Sequence, residues 1–209
     1  GFAGINAAIQ LRKNISNSSI LVIDSKSQFE FKPLLYEVLS DEIQSWEVIP
    51  SFDTIFANSG ITFLRNTVKL IDLDKKFLIL QDDFKVEFHY LILSTGSSPN
   101  EFSIKGVKEY SYFFNTNKDQ NKLKSLLKQP LLKNNCKKIF IIGAGPSGVE
   151  LACKIKDLYQ TKFEINIVER TAEIMNNNKI FNKEEAQKNI EAKNINLLTN
   201  SSVVEIRDK

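Results

Sequence analysis

The sequence predicts an α/β protein that uses one strand, glycine turn, helix and strand unit twice. Three observations carry this: a complete unit between residues 138 and 169, a partial copy at the start of the chain, and a strand-rich stretch between them. With 209 residues, the chain is long enough to bury two modest cores.

The complete unit reads "KKIFIIGAGPSGVELACKIKDLYQTKFEINIVER". Lys138 to Ile142 is an apolar, β-branched run, and Val149, Ala152, Cys153, Ile155 and Lys156 follow at helical spacing. Between them, Gly143, Gly145 and Gly148 form the G-x-G-x-x-G fingerprint of dinucleotide binding. Its glycines permit the tight turn, close approach of backbone to a pyrophosphate, and close packing of helix on strand. Ala144, Pro146 and Ser147 complete the turn, whose helix N-terminus would face the phosphates. Glu169 closes a second apolar run, Ile165 to Val168, 21 residues past Gly148, where an acid accepts hydrogen bonds from a ribose 2′-hydroxyl. That acid favours NADH, while Arg170 beside it suits a 2′-phosphate if the loop turns, so NADPH stays open at this point.

Laid over this unit, Gly1-Phe2-Ala3-Gly4 matches Gly145-Pro146-Ser147-Gly148, and Ile5, Ala8 and Ile9 match Val149, Ala152 and Cys153. "SILVID" then supplies a short strand ending in Asp24, 20 residues after Gly4. An equivalent of "IFIIGA" would precede Gly1, and the second unit's strands run out at Lys209, so truncation is expected at both ends.

Between the units, "ITFLRNTVKLIDLD" and "KKFLILQDDFKVEF" read as short strands with a hairpin turn at Asp82-Asp83. "YLILSTGSSP" reads as a buried strand ending at Thr95-Gly96, where Gly96 would let backbone come close to a nucleotide. Residues 117–129 place Leu123, Leu126 and Leu127 on one helical face, and Pro130 follows. After Glu169, a helix carrying Ala186 and Ile190 leads to further strands.

Composition excludes several classes. Hydrophobic residues make up 42%, charged residues 25%, and the net charge of +3 is spread along the chain, which gives nucleic-acid binding no support. No apolar run approaches the roughly 18 to 20 residues that span a bilayer, and the start shows no secretion-signal pattern. Cys136 and Cys153 form no CxxC and no Cys/His cluster, so neither a redox disulfide nor a metal site is indicated and a reducing compartment fits. Runs such as Asn176-Asn177-Asn178 reflect compositional bias. Trp46 is expected in the core, with Glu37, Asp41, Glu42 and Glu47 around it as solvated charge.

With both fingerprints in place, "FEFKPLLYEVLSDEIQSWEVIP", "VELACKI", "VERTAEIM" and "FNKEEAQKNIEAKNI" carry a narrower likeness. The chain resembles the type II NADH dehydrogenases, single-subunit FAD-dependent NADH:quinone oxidoreductases, most of all their cyanobacterial and plastid branch. The resemblance implies two Rossmann-like domains, the second inserted in the first. Residues 1–115 would be the FAD-binding part, 116–136 a helical linker, and 137–209 an NADH-binding part. Around FAD it places Gly1, Phe2, Ala3, Gly4, Asp24, Ser25, Val68, Thr95 and Gly96, with Asp24 on the adenosine ribose. Around NADH it places Gly143, Ala144, Gly145, Pro146, Ser147, Gly148, Glu169 and Arg170. Glu150 falls where the family has a glutamate beside flavin and nicotinamide, implicated in catalysis; a plain helix-dipole partner is the other reading. His89 stands where relatives carry an acid and is expected on a surface strand, since hydride transfer to flavin needs no histidine. A quinone as acceptor, peripheral attachment on the cytoplasmic side of a membrane through a segment beyond this sequence, and a homodimer are implied in the same way. Two alternatives stay open: a soluble FAD-dependent reductase of another acceptor, and a nucleotide-binding remnant without turnover.

Overall fold

The computed structural model describes residues 1–129 and 138–208. Pro130, Cys136 and the last part of the expected linker lie outside the described residues, as does Lys209. The first half runs α1 (Phe2–Asn14), β1 (Leu21–Asp24), a 3-10 turn (Lys32–Leu34), α2 (Leu35–Leu39), α3 (Ser45–Val48) and α4 (Phe52–Phe56). It continues through β2 (Thr62–Arg65), β3 (Val68–Asp72), β4 (Phe77–Leu80) and β5 (Lys85–Glu87). Then come α5 (Val107–Tyr110), α6 (Asn117–Lys128), β6 (Lys138–Ile142), α7 (Pro146–Tyr159), β7 (Glu164–Val168), α8 (Ile180–Ala192) and β8 (Asn196–Leu198). Packing groups these into two units: Gly1–Leu34 with Gln44–Ser98, and Leu35–Ile43 with the chain from Pro99 onward.

In the first unit, β1 and β2 pair in parallel, Leu21 opposite Thr62 and Asp24 opposite Arg65. The expected face of α1 is the buried one: Ile5 and Ala8 join Phe52, Phe56 and Ile61 in one core, with Ile9 against it. Phe52 stacks on Phe63 at 4.6 Å between centroids, and Ser51 starts α4 by accepting the Thr54 N–H at 3.0 Å. Strands β3, β4 and β5 form an antiparallel meander. Its second turn lies at Asp82-Asp83 as the sequence predicts, with Asp83 in the left-handed region.

Two expectations in this unit fail. The run from Tyr90 to Thr95 is no strand; Tyr90 is 94% exposed, and Ile92 and Leu93 are exposed too. A strand exists only through a partner edge, and among the described residues none pairs with this run, so apolar composition alone did not make a ladder. Trp46, expected in the core, is 76% exposed. Helix α3 is a single turn whose inward position is Val48, and two residues back is about 200° around the helix, on the solvent side.

In the second unit, β6, β7 and β8 form a parallel sheet in that order, with Ile142 opposite Val168 and Ile167 opposite Leu197. The central strand is the most buried, so even Asn166 lies inside, accepting a hydrogen bond from Asn196 at 3.0 Å. Val149, Ala152 and Ile155 of α7, and Ala186 and Ile190 of α8, fill the core with Ile141, Ile165 and Ile167. Both helical periodicities read from the sequence therefore mark real core faces.

Helix α6 starts from a capping box. Thr116 Oγ1 accepts from Asp119 N at 3.2 Å and Asp119 Oδ2 accepts from Thr116 N at 3.0 Å. Its Leu123 and Leu127 share a core cluster with Leu39 of α2. Lys124 Nζ reaches the Val38 carbonyl at 2.9 Å and also pairs with Asp41, which Lys128 meets at 3.2 Å. Hydrogen bonds from Lys124 and Lys128 hold the Asp41 carboxyl below its ordinary range. Lys154 of α7 takes Glu42 at 2.8 Å. Asp41, Glu42 and Glu47 are exposed, as expected of solvated charge, whereas Glu37 is half-buried.

One residue on the inner face of α6 breaks the pattern. Gln120 is fully buried, and neither its Oε1 nor its Nε2 has a hydrogen-bond partner. A buried polar group left unpaired costs about 1 to 3 kcal/mol. We therefore predict that Gln120→Leu raises the stability of the chain by about 1 to 2 kcal/mol in urea unfolding. A loss of stability would show that the amide is well satisfied.

Candidate nucleotide-binding sites

The turn after β6 is tied down from three sides. Gly143 N donates to Val168 O at 2.8 Å, Ala144 N to Glu169 Oε2 at 2.8 Å, and Met175 N to Ala144 O at 2.8 Å. Gly143 has φ +101°, a backbone conformation L side chains rarely adopt. At Gly148, an added Cβ would sit 2.0 Å from the Gly143 carbonyl oxygen, so this glycine lets α7 lie directly on the turn. At Gly143 and Gly145 an added Cβ would meet nothing within 4 Å, so these two front open space.

Helix α7 begins at that open side. Gly145 is its N-cap with no side-chain cap, Pro146 follows in the first turn, and no acid occupies that turn. Ser147 and Pro146 are exposed there. Uncapped N–H groups and the positive end of the helix dipole are thus presented together, an arrangement complementary to a diphosphate.

Glu169, at the end of β7, does more than wait for a ribose. Besides Ala144 N, it accepts from Thr171 N at 2.8 Å and Thr171 Oγ1 at 2.9 Å through its other oxygen. Partial burial opposes its charge, but the donors from Thr171, Ala144 and Arg170 outweigh it and hold its carboxyl below the ordinary value. Because the folded value is lowered, the stability this adds is present above the unfolded value and is lost as pH falls through the folded one. The Arg170 side chain is exposed.

The first unit repeats part of this plan. Gly1 is the N-cap of α1, again without a side-chain cap or a first-turn acid. Phe2 and Ala3 are exposed on that turn, and the Phe2 ring lies 5.6 Å from Phe31 and 6.2 Å from Phe29. An added Cβ at Gly4 would lie 2.5 Å from Ser94 Oγ, which brings the residues just before Thr95 and Gly96 against α1. Gly96 has φ +73° with open space before it, and Thr95 is exposed. Asp24 ends β1 half-buried and accepts from Lys26 N at 3.0 Å, with Ser25 exposed beside it. Asn66 N donates to Asp24 O at 3.0 Å, and Val68, two residues after Asn66, is the exposed first residue of β3.

Glu150 lies in the second turn of α7, beyond the strongest reach of the helix dipole, which weakens the dipole-partner reading. Glu150 is an exposed residue, and partial desolvation of its carboxyl, then the nearby Glu37, raise its proton affinity. Tyr36 Oη donates to the Ser147 carbonyl at 3.3 Å, joining α2 to the first turn of α7. Burial, chiefly, pushes up the Cys153 thiol. His89 is exposed in a bend just after β5, on the surface but outside the strand. Ser94, Tyr36 and Thr171 touch residues of these candidate sites although nothing in the sequence singled them out, and Glu37, expected as solvated charge, is half-buried.

A family model described as pyridine nucleotide-disulphide oxidoreductase matches residues 1–209. A demethylphylloquinone reductase from Synechocystis is 34% identical over 99% of this chain and 53% of its own. A chloroplastic/mitochondrial alternative NAD(P)H-ubiquinone oxidoreductase from Arabidopsis thaliana is 28% identical over 99% of this chain and 44% of its own. The solved structure of NDH2 from Plasmodium falciparum in complex with NADH superposes with a TM-score of 0.81 at 21% identity, covering 98% of this chain and 47% of that one. The chain thus spans about half the length of the curated relatives it matches, and the likeness to type II NADH dehydrogenases read from the sequence is borne out. Its two parallel, glycine-turned units and its family model agree: the chain belongs to the pyridine nucleotide-disulphide oxidoreductase family.

Proposed function

We propose that this chain is the cofactor-binding part of an FAD-dependent NADH:quinone oxidoreductase, with residues 1–115 toward FAD, 137–209 toward NADH and 116–136 linking them. The observation that carries it is the pairing, in each unit, of an uncapped glycine-started helix with an acid at the end of the adjoining strand. Open space before Gly96, Gly143 and Gly145 suits close approach of a dinucleotide to backbone. Gly1 to Gly4, Asp24, Ser25, Val68, Thr95 and Gly96 would hold the flavin dinucleotide. Gly143 to Gly148, Glu169 and Arg170 would hold the nicotinamide one, with Glu150 beside the reacting rings. When bound, the pair supplies two-electron chemistry, hydride passing from NADH to flavin; the protein supplies orientation and electrostatics.

Glu169 makes NADH the favoured donor, since a 2′-phosphate would meet a carboxylate that is both charged and fixed. A quinone is the proposed acceptor, as the names of the two curated relatives suggest. Among the described residues no helix is long and apolar enough to cross a membrane, and peripheral attachment and a homodimer are part of the same proposal. The test is anaerobic and uses the full-length protein: with FAD supplied, NADH should bleach the flavin and a short-chain quinone should restore its colour. Bleaching restored only by ferredoxin would make this a soluble reductase, and no yellow complex at all would leave a nucleotide-binding remnant.

A further inference from the structure

The acid that ends β7 is held in place by the loop that follows it. Glu169 Oε2 accepts from Ala144 N in the glycine turn at 2.8 Å, while Oε1 accepts both the Thr171 N–H at 2.8 Å and the Thr171 hydroxyl at 2.9 Å. Thr171 is itself tied down: its carbonyl accepts from Asn200 N at 3.1 Å, and its Oγ1 also lies 2.8 Å from the Glu173 carbonyl oxygen. Beyond it, Glu173 pairs with Lys183 of α8 at 2.7 Å, Ile174 is buried in the core, and Met175 N donates to Ala144 O. The loop therefore returns to the same glycine-turn residue that the acid grips. Arg170, between Glu169 and Thr171, is exposed. A coenzyme with a 2′-phosphate needs the acid turned aside and a cation such as Arg170 brought in. Glu169 can turn aside only by giving up Ala144 N and both donors of Thr171.

Resting on the reading that residues 137–209 take NADH through Glu169, we propose that Thr171 is a positioning residue that locks this carboxylate against the glycine turn, and thereby selects a coenzyme with a free ribose 2′-hydroxyl over one with a 2′-phosphate. Of the three donors on Glu169, the Thr171 hydroxyl is the one that a side chain supplies, so it is the part of the lock that a change of residue can remove. A hydrogen bond to a charged acceptor is stronger than one between neutral groups, which gives a single hydroxyl leverage over the acid. Held in place, the carboxylate opposes a 2′-phosphate; released, it rotates away, and Arg170 is left to meet the phosphate. The same donors favour the ionised form of Glu169, so the charge that opposes the phosphate is present at neutral pH.

The test is isothermal titration of the full-length protein with NADH and with NADPH, without any quinone. Thr171→Val removes the hydroxyl but keeps the branched shape and the backbone N–H, and should lower the preference for NADH over NADPH by roughly three- to tenfold. Thr171→Ser returns a hydroxyl and should restore the preference to within about twofold of the parent. Thr171→Ala serves if Thr171→Val fails to fold, with the same fall expected. In a Glu169→Ala background the hydroxyl has no carboxylate to hold, so adding Thr171→Val should leave the preference unmoved. A fall of the same size in that background would make Thr171 a purely structural residue, against the proposal. A preference unchanged in both Thr171→Val and Thr171→Ala overturns the proposal and leaves the NADH and quinone readings standing. A parent that binds neither nucleotide overturns the reading of residues 137–209, and the proposal with it.

Discussion

Gly148→Ala should lower the stability of the chain by about 3 kcal/mol, whereas Gly145→Ala, three residues earlier, should change it by less than about 1 kcal/mol. The difference lies in what the new methyl meets. At position 148 it would stand 2.0 Å from the Gly143 carbonyl oxygen and 3.2 Å from its carbon. Backbone atoms cannot turn aside as a side chain does, so α7 would have to lift off the turn and pull Val149 and Ala152 from the core. At position 145 the backbone is extended, with φ −72° and ψ 177°, and the methyl enters open space. That space is where phosphates would lie, so Gly145→Ala should weaken NADH tenfold or more in isothermal titration while the protein stays folded. Equal stability losses in the two variants would refute the close-approach account.

Glu169→Ala is expected to act on both stability and coenzyme choice. It removes the acceptor for Ala144 N, Thr171 N and Thr171 Oγ1 together, which should lower stability by about 1 to 3 kcal/mol at neutral pH. Acid should narrow the gap between parent and variant, because the parent's contribution fades as pH falls below the ordinary value of 4.5 and through the lowered folded one. NADH affinity should drop by tenfold or more and NADPH affinity by much less, since the loss of a fixed negative charge partly compensates the phosphate. If the variant keeps the parent's ratio of NADH to NADPH affinity, Glu169 is not the selector.

The fold and the geometry of the candidate nucleotide sites were legible where the requirement is local. A glycine at 143 or 148 answers to a dihedral angle or a clearance within one turn, and Glu169 answers to the end of its own strand. The helix faces of α1, α7 and α8 were legible for the same reason, through spacing alone. What stayed hidden depends on partners far along the chain. The run after Tyr90 has strand composition and no edge to join, and Trp46 was misplaced because nothing nearby reveals that Val48 claims the inward side of so short a helix. Tyr36 gained meaning only when α2 was seen against α7.

That placement of α2 shapes how the chain can fold. Tyr36 reaches Ser147 across 111 residues, Glu42 reaches Lys154 across 112, and Val38 reaches Lys124 across 86. Contacts of such long sequence separation raise the contact order, and their loops must close before any of them is rewarded. The second unit is therefore discontinuous in the chain. On a ribosome, Leu35 to Ile43 emerges early but finds its helical neighbours only after α6 and α7 have been made. Until then Leu35 and Leu39, buried in the finished fold, lack their later partners, so the completion of α6 and α7 sets the moment at which this early helix can be covered.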